Sequence, residues 1–444
     1  MKKILCFVIP LLLIIVFFPF LASTPLGKPF FIQLLKAKLS GDLTIEKVNL
    51  SWLGPQRFEN IELTNADVNA KVGHFESNTP FWKLGHLGDS FDLQNGDFSF
   101  PAYGGGEIAN VQAKIRGDHL NATGTTSQGG SFSVQGTIQS KQDLDITAIL
   151  DQIPTIAIDK LLKLGGLLYK SLGSTLNANG ALTFKQNEGT LALELSSLNA
   201  KANIDASIAN GIISLKRPLL ATLRVSEDLA KELTQHINPT VIKGFQPQNP
   251  FTLRIDPQNF SCSIQPFSFD NLQIGSAALD LGKVRVKSGK SLQSLLKLFK
   301  NKDFSKEIDI WFTSVAFQIQ NGVINLGRVD ALLSNSIHVC AWGSVDVKND
   351  QLHMFLGLPA DTLEQSFGIQ ALSRNYVLKI PVYGSISSPE FDTGSAIAKI
   401  TTMAVSKQIP TKGGKILGGI VNAITQAQDD GDAPPPNRPF PWER

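Results

Sequence analysis

GDLTIEKVNLSWLGPQRFENIEL, residues 41–63, reads as the first pair of strands in a very long β-structure. From Leu43 onward the dominant period is two, which sends alternate side chains to opposite faces of a sheet. Phe91, Leu93, Phe98 and Phe100 alternate around Asn95-Gly96, a β-hairpin signal. Phe132, Val134 and Ile138 alternate, then Leu144, Ile146 and Ala148. Leu191, Leu193 and Leu195 follow a KQNEG turn. Ile204, Ala206 and Ile208 run into Asn210-Gly211, and Val315, Phe317 and Ile319 run into Asn321-Gly322. Leu352, Met354 and Leu356 follow a KNDQ turn. The intervening residues are mostly polar. One face is therefore apolar and the other wet, the pattern of an antiparallel sheet solvated on one side.

Upstream of this stretch, residues 28–39 read as a short amphipathic helix. Phe31, Leu35 and Leu39 form its apolar stripe with Phe30 and Leu34 beside it, Lys28, Lys36 and Lys38 are its basic complement, and Pro29 suits the first turn. Such a helix suits a lipid interface or a plug over the end of the sheet, and the two are compatible. Before it, Ile4–Ala22 is almost unbroken apolar sequence behind Lys2 and Lys3. A membrane helix needs about 20 such residues, and the lysines favour a cytoplasmic N-terminus. The competing reading is a cleaved signal peptide, against which Phe20 and Leu21 spoil the cut site at Ala22.

Composition excludes several classes. A net charge of +3 over 444 residues is not that of a nucleic-acid binder. Aromatic content rests on 27 Phe against 4 Tyr and 5 Trp, a bias toward apolar surfaces. Three Cys are too few for a disulfide scaffold. Cys262 and Cys340 read as unpaired filler, with a pairing in an oxidising compartment as the alternative.

Helical interruptions are expected at 158–172, weakened by Gly165-Gly166, at Ser226–Ile237 with Ser226 as cap, at Ser291–Lys300, at 361–370, and twice within 395–427. No repeat recurs at a fixed period. The basic stretch 283–306 suits either anionic headgroups or a solvated face. The tail, DDGDAPPPNRPFPWER, is acidic and then proline-rich. It reads as disordered, or as a linear motif anchored by Phe440 and Trp442.

Catalytic constellations are missing from the sequence. The 6 His, at 74, 86, 119, 236, 338 and 353, include no HExxH spacing. His338 and His353 flank a predicted hairpin. There is no GxSxG elbow, no phosphate loop at Gly104–Gly106 or Gly413-Gly414, and no carboxylate pair suited to acid–base work. The chain is expected not to be an enzyme and to hold no catalytic residue, cofactor or metal.

Two regions resemble one family. Residues 24–63 look like the N-terminus of AsmA-like proteins: anchor, short helix, then a Gly41-Asp42-Leu43 strand and SWLGP at 51–55. Residues 321–392 are similar to the same family's C-terminal region, with NGVINLGRVDAL, HVCAWGSVDVKNDQLHMFLGLPA and KIPVYGSISSPEFD. AsmA-like proteins belong to the repeating β-groove superfamily, with TamB and the chorein-type bridge proteins. The resemblance implies a mainly β fold: a long twisted antiparallel β-groove, or β-taco, with a few short helices and an N-terminal transmembrane helix. Residues 1–23 would be the anchor, 24–393 the groove body, 394–428 C-terminal amphipathic helices and 429–444 the disordered tail. The resemblance also implies a periplasmic body on a single-pass inner-membrane anchor. Its role would be to move phospholipid toward the outer membrane, with an envelope protein partner at the C-terminal end.

On that reading Leu191, Leu193, Leu195, Val315, Phe317, Ile319, Leu352, Met354 and Leu356 line an apolar trough for acyl chains. Lys28, Phe31, Leu35, Lys36 and Leu39 meet the membrane interface. The competing classes are a structural or assembly β-protein whose apolar face is closed as a sandwich, and a tethered regulator acting through its tail. Alternation alone does not distinguish lipid from a second sheet.

Overall fold

A computed structural model of the chain describes residues 19, 22–39, 41–65, 68–81, 90–100, 106–126, 129–140, 143–161, 166–227, 229–230, 242–263, 269–289, 293, 296, 299, 307–370, 372–386, 388–406 and 433–443. The protein is mainly β, with twenty-five strands among these residues and every registered pairing antiparallel. Two compact units divide the chain, residues 1–198 and 199–444. Among the described residues no helix is long and apolar enough to cross a membrane. The expected anchor, Ile4–Ala22, lies outside them except for Pro19 and Ala22.

The first unit begins with α1 (Lys28–Leu39) and continues as a meander. Its strands are β1 (Asp42–Asn49), β2 (Gln56–Thr64), β3 (Asn69–Ser77), β4 (Phe91–Phe100) and β5 (Gly106–Arg116). Then come β6 (His119–Thr126), β7 (Ser131–Ser140), β8 (Asp143–Pro154), β9 (Thr175–Lys185) and β10 (Glu188–Ser197). Each pairs with the next, giving nine consecutive pairings.

The expected hairpin at Asn95-Gly96 does not form. β4 runs straight through it, and the register with β5 shifts on either side of Gly96. Asn95 sits at φ 56, so the left-handed residue that would close a turn makes a bulge instead. Asn210-Gly211 and Asn321-Gly322 do turn, with both residues at positive φ.

The expected helix at 158–172 is two short helices, α2 (Thr155–Leu161) and α3 (Leu167–Leu172). The buried carboxylate of Asp159 accepts the Gly166 and Leu168 N–H groups and the Tyr169 N–H at 3.2 Å. It satisfies the first free amides of α3.

The second unit starts with β11 (Ala200–Ala209), β12 (Ile212–Leu215), β13 (Leu219–Leu223), β14 (Ile242–Pro247), β15 (Phe251–Ile255) and β16 (Cys262–Ser263). It continues with β17 (Ile274–Asp280), β18 (Lys283–Ser288), β19 (Glu307–Phe312), β20 (Val315–Gln320) and β21 (Val323–Leu333). β22 (Ile337–Asp346), β23 (Gln351–Pro359), α4 (Ala360–Phe367), β24 (Val377–Ser385), β25 (Ser388–Phe391) and α5 (Thr393–Ser406) complete it.

Several of these strands are halves of one broken rung. β12 and β13 pair with opposite halves of β11. β19 and β20 pair with opposite halves of β21. β17 and β18, split at Leu281-Gly282, pair with β20 and β19. Gly282 takes φ +57 at that break.

Of the expected helices, 361–370 is α4 and the first within 395–427 is α5. Ser226 accepts the Leu229 N–H through its side chain, as a cap does. Most of 228–241 and 290–306, and all of 407–432, lie outside the described residues.

One half of these rungs is covered and closed. Val284, Val286, Ile308, Ile310, Leu333, Ile337, Val339, Leu378 and Ile380 pack with Leu296, Phe299, Leu363 of α4 and Ala396, Ile400 and Met403 of α5. In the first unit, α1 closes a smaller core of Ala22, Phe31, Leu43, Ile45, Val48, Leu50 and Phe58.

Candidate apolar face

Register sets the apolar side chains of the first unit in rows. Leu43, Ile45 and Val48 of β1 oppose Leu63, Ile61 and Phe58 of β2. These oppose Ala70, Val72 and Phe75 of β3. Farther along, Phe132, Val134, Gly136 and Ile138 of β7 oppose Leu150, Ala148, Ile146 and Leu144 of β8. Those oppose Ala178, Gly180, Leu182 and Phe184 of β9. The sequence-predicted Leu191, Leu193 and Leu195 end the series, opposite Leu182, Gly180 and Ala178. Bulges between paired strands keep the apolar set on one face.

Glycines notch this face. A Cβ on Gly124 would meet the Phe132 ring at 2.4 Å, and one on Gly96 would meet Leu93 and Phe98 at 2.8 Å. Large side chains therefore lie flat across glycine backbone, a cross-strand device that covers it. The face is kept shallow where a full side chain would stand up.

Burial differs between this face and the helix-covered core of the second unit. Along β6 to β10 the apolar residues are mostly half-buried, and their polar neighbours, such as Glu194, are mostly exposed. Sheet neighbours alone leave most of these side chains partly exposed, and a second layer deepens the burial. Where helices supply that layer, Ile337, Leu363 and Ile380 have 0% exposure.

In the second unit, Val315, Phe317 and Ile319 oppose Leu279, Ala277 and Ile274 on one side. On the other, Phe317 and Ile319 oppose Leu326 and Ile324. These oppose Gly343 and Val345, which in turn oppose Met354 and Leu352. The two predicted trios thus share one continuous face. Val315, Phe317, Leu352 and Met354 are half-buried on it, and Ile319 is buried. Leu356 is different: it packs against the helix-covered core, because β23 crosses from the open half into the closed half. The Leu191 trio belongs to the first unit.

Within the predicted membrane-interface set, Phe31 and Leu35 turn to the sheet instead. Phe31 is buried against Phe58, ring centroids 6.2 Å apart, and Leu35 packs on the same core. Lys28 donates to the Glu46 carbonyl at 2.9 Å, and Lys36 pairs with Asp42 at 3.3 Å. The stripe faces the sheet, which is the plug arrangement. The Leu39 side chain lies outside what the structure describes.

The opposite, outer face of the second unit holds a polar cluster that sequence reasoning missed. Arg328 donates to Asp330 at 2.7 Å through Nη2 and to the Pro434 carbonyl at 3.0 Å through Nη1. His338 lies between Asp330 and Asp361, both at 2.8 Å. His353 is not its partner; that residue opposes Ser344. Phe440 rests edge-on to the His338 ring at 4.9 Å and stacks on Trp442 at 4.9 Å. Trp442 also meets Trp311 at 6.4 Å. The tail expected to be disordered is therefore docked over 433–443, with Phe440 2% exposed. Aromatic burial against His338 outweighs the ordering entropy that charge and proline alone would leave uncompensated.

Cys262 and Cys340 are free. Burial pushes the Cys340 thiol up to about 12, so it is not a nucleophile near neutrality. Among the described residues no group of three His, Cys, Asp or Glu could hold a metal ion. A shallow recess of about 560 Å³ lies on the polar face of the first unit, lined by His119, Asn121, Gln135, Thr137, Asp145 and Thr147. In the basic stretch, Lys283 and Arg285 both pair with Asp309.

No family model, curated protein or solved structure matches the chain. The functional reading rests on the residues themselves.

Proposed function

We propose that the protein is a membrane-tethered lipid-transfer protein. Phospholipid acyl chains lie along its apolar sheet face, as in a groove of the AsmA-like kind. On this reading it is not an enzyme, its body stands in the periplasm on an inner-membrane anchor, and it serves outer-membrane biogenesis. The observation that carries the reading is the half-burial of the alternating apolar residues, next to cores that are closed wherever helices cover the same face.

The energetics favour such a role. Exposing an acyl chain to water costs about 0.8 kcal/mol per methylene. Two chains of ordinary length then face a barrier on the order of 20 kcal/mol. A continuous apolar face removes most of it without chemistry.

Phe317→Arg tests the reading against a closed sandwich. In a sandwich the arginine is an unpaired buried charge and unfolds the unit. On an open face it reaches solvent, so the melt seen by circular dichroism is kept while phospholipid co-purifying with the protein, read by mass spectrometry, is lost. Gln318→Arg, on the exposed neighbour, changes neither. An unmutated protein that carries no lipid, or a Phe317→Arg protein that unfolds, overturns the groove.

A further inference from the structure

Three large apolar side chains stand in solvent at one end of β1. Leu26 is 93% exposed, Leu53 79% and Phe30 60%. Single exposed apolar residues are ordinary; these three are set apart by how they are mounted. α1 runs antiparallel to β1, fixed by Lys28 near Glu46 and Lys36 at Asp42. Phe31 faces the core, which turns Phe30 outward.

The turn before α1 is tied to the loop after β1 by one hydroxyl. Ser23 Oγ accepts the Leu50 N–H and donates to the Pro19 carbonyl, both at 2.8 Å. The loop itself is braced from inside. Gln56, wholly buried, accepts the Ser51 N–H at 2.9 Å and donates to the Ser51 and Thr79 carbonyls. Trp52 packs edge-on to Phe81 at 5.2 Å, and the Phe81 N–H binds the Trp52 carbonyl at 3.1 Å. Ser51, Trp52 and Gln56 around Leu53 are thus held, while Leu53 itself is exposed. A rigid mount keeps the ordering cost of insertion small.

The chain supplies the argument for what covers this face. Residues 4–18, ILCFVIPLLLIIVFF, carry no charge and join the body at Pro19, the residue bonded to Ser23. We propose that Leu26, Phe30 and Leu53 are a membrane-seating face that rests in the interfacial layer of the bilayer holding that apolar segment. Interfacial binding of this kind scales with the apolar area inserted. The inference rests on the membrane-tethered reading and adds a fixed orientation, with the Asn49 end of β1 toward the lipid and the Asp42 end away from it.

The test uses the full chain with Cys6→Ser and Cys262→Ser, reconstituted in phosphatidylcholine–phosphatidylglycerol vesicles. A fluorescent label is placed in turn on Phe30→Cys, Leu53→Cys and, as the control at the far end of β1, Asp42→Cys. Lipids brominated near the headgroup are expected to quench positions 30 and 53 at least threefold more than position 42. Adding Gln56→Ala, which frees the loop, reduces quenching at 53 and leaves it at 30. Circular dichroism melts of the labelled proteins verify the fold. If the protein floats with the vesicles but 30 and 53 are quenched no more than 42, the seating face is wrong and the tether stands. If it does not float, tether and seating face fall together.

Discussion

The Nε2 atom of His338 lies 2.8 Å from Oδ1 of Asp330, a carboxylate with no solvent exposure. The other ring nitrogen faces Asp361 at the same distance. An ionised carboxylate only accepts, so the imidazolium form, with both ring nitrogens donating, is the one that serves both contacts. Burial alone would lower the His338 pKa. The hydrogen bonds and charges of Asp330 and Asp361 outweigh it and hold the pKa above its ordinary value.

A raised folded-state pKa contributes stability that is complete below the unfolded value, about 6.5, and is lost as pH rises through the folded value. Asp361 sets the other limit. Burial pushes its pKa up, but the His338 contact pulls it lower still, so its contribution fades as pH falls through that depressed value. Amide hydrogen exchange at Phe440 and Glu443, whose N–H groups are bonded within the docked tail, corrected for intrinsic rates, should show protection across the interval between. Protection that persists unchanged well above the His338 transition would refute the coupling. His338→Gln leaves one carboxylate facing an acceptor and should abolish protection at every pH.

Phe440→Ala removes a buried ring from the docked tail and should destabilise the second unit by about 3 kcal/mol, the usual range for a core aromatic. Deleting 433–444 should have a comparable effect, because Arg328 then loses the Pro434 carbonyl and His338 its aromatic cover. Denaturant unfolding measures both. Variants with unchanged midpoints would mean that the tail contributes nothing to the fold.

Gly136→Ala and Gly180→Ala should differ. A Cβ at 136 meets the Asp145 carbonyl oxygen at 2.0 Å, whereas one at 180 meets Leu193 at 3.4 Å. Backbone cannot step aside as a side chain can. The first substitution is expected to cost about 1–3 kcal/mol and the second well under that. Equal urea midpoints for the two variants would contradict the register of β7 with β8.

Asn95→Val places a β-branched residue at φ 56, where L side chains are crowded. The expected loss is about 1–2 kcal/mol, with the bulge in β4 as its seat. Were Asn95 extended within a regular strand, valine would be neutral or favourable; a stabilised variant in thermal melts would exclude the bulge.

Much of the β-structure was legible because period two is written directly into runs such as Leu191–Leu195 and Val315–Ile319. The turns at Asn210-Gly211 and Asn321-Gly322 were legible for the same local reason. Asn95-Gly96 was not, since a left-handed Asn serves a bulge as well as a turn and only the partner strands decide. Phe31 and Leu35 form a real stripe, but a stripe does not say whether it meets lipid or sheet. The Arg328–Asp330–His338–Asp361 cluster joins residues from three elements to a tail about a hundred positions away, and no spacing rule reaches across that distance. Its one trace in the sequence was the pair Phe440 and Trp442, aromatic anchors in an otherwise unpromising tail.

The consecutive pairing of β1 to β10 bears on how the chain is made. Among the described residues, no strand of the first unit waits for a partner beyond its immediate successor in sequence, so each contact closes a short loop. Low sequence separation of this kind favours fast assembly. The meander can grow strand by strand as the chain emerges, N-terminal hairpin first, with an unpaired edge advancing at the growing end. That growing edge is open to mispairing only until the next strand arrives and covers it.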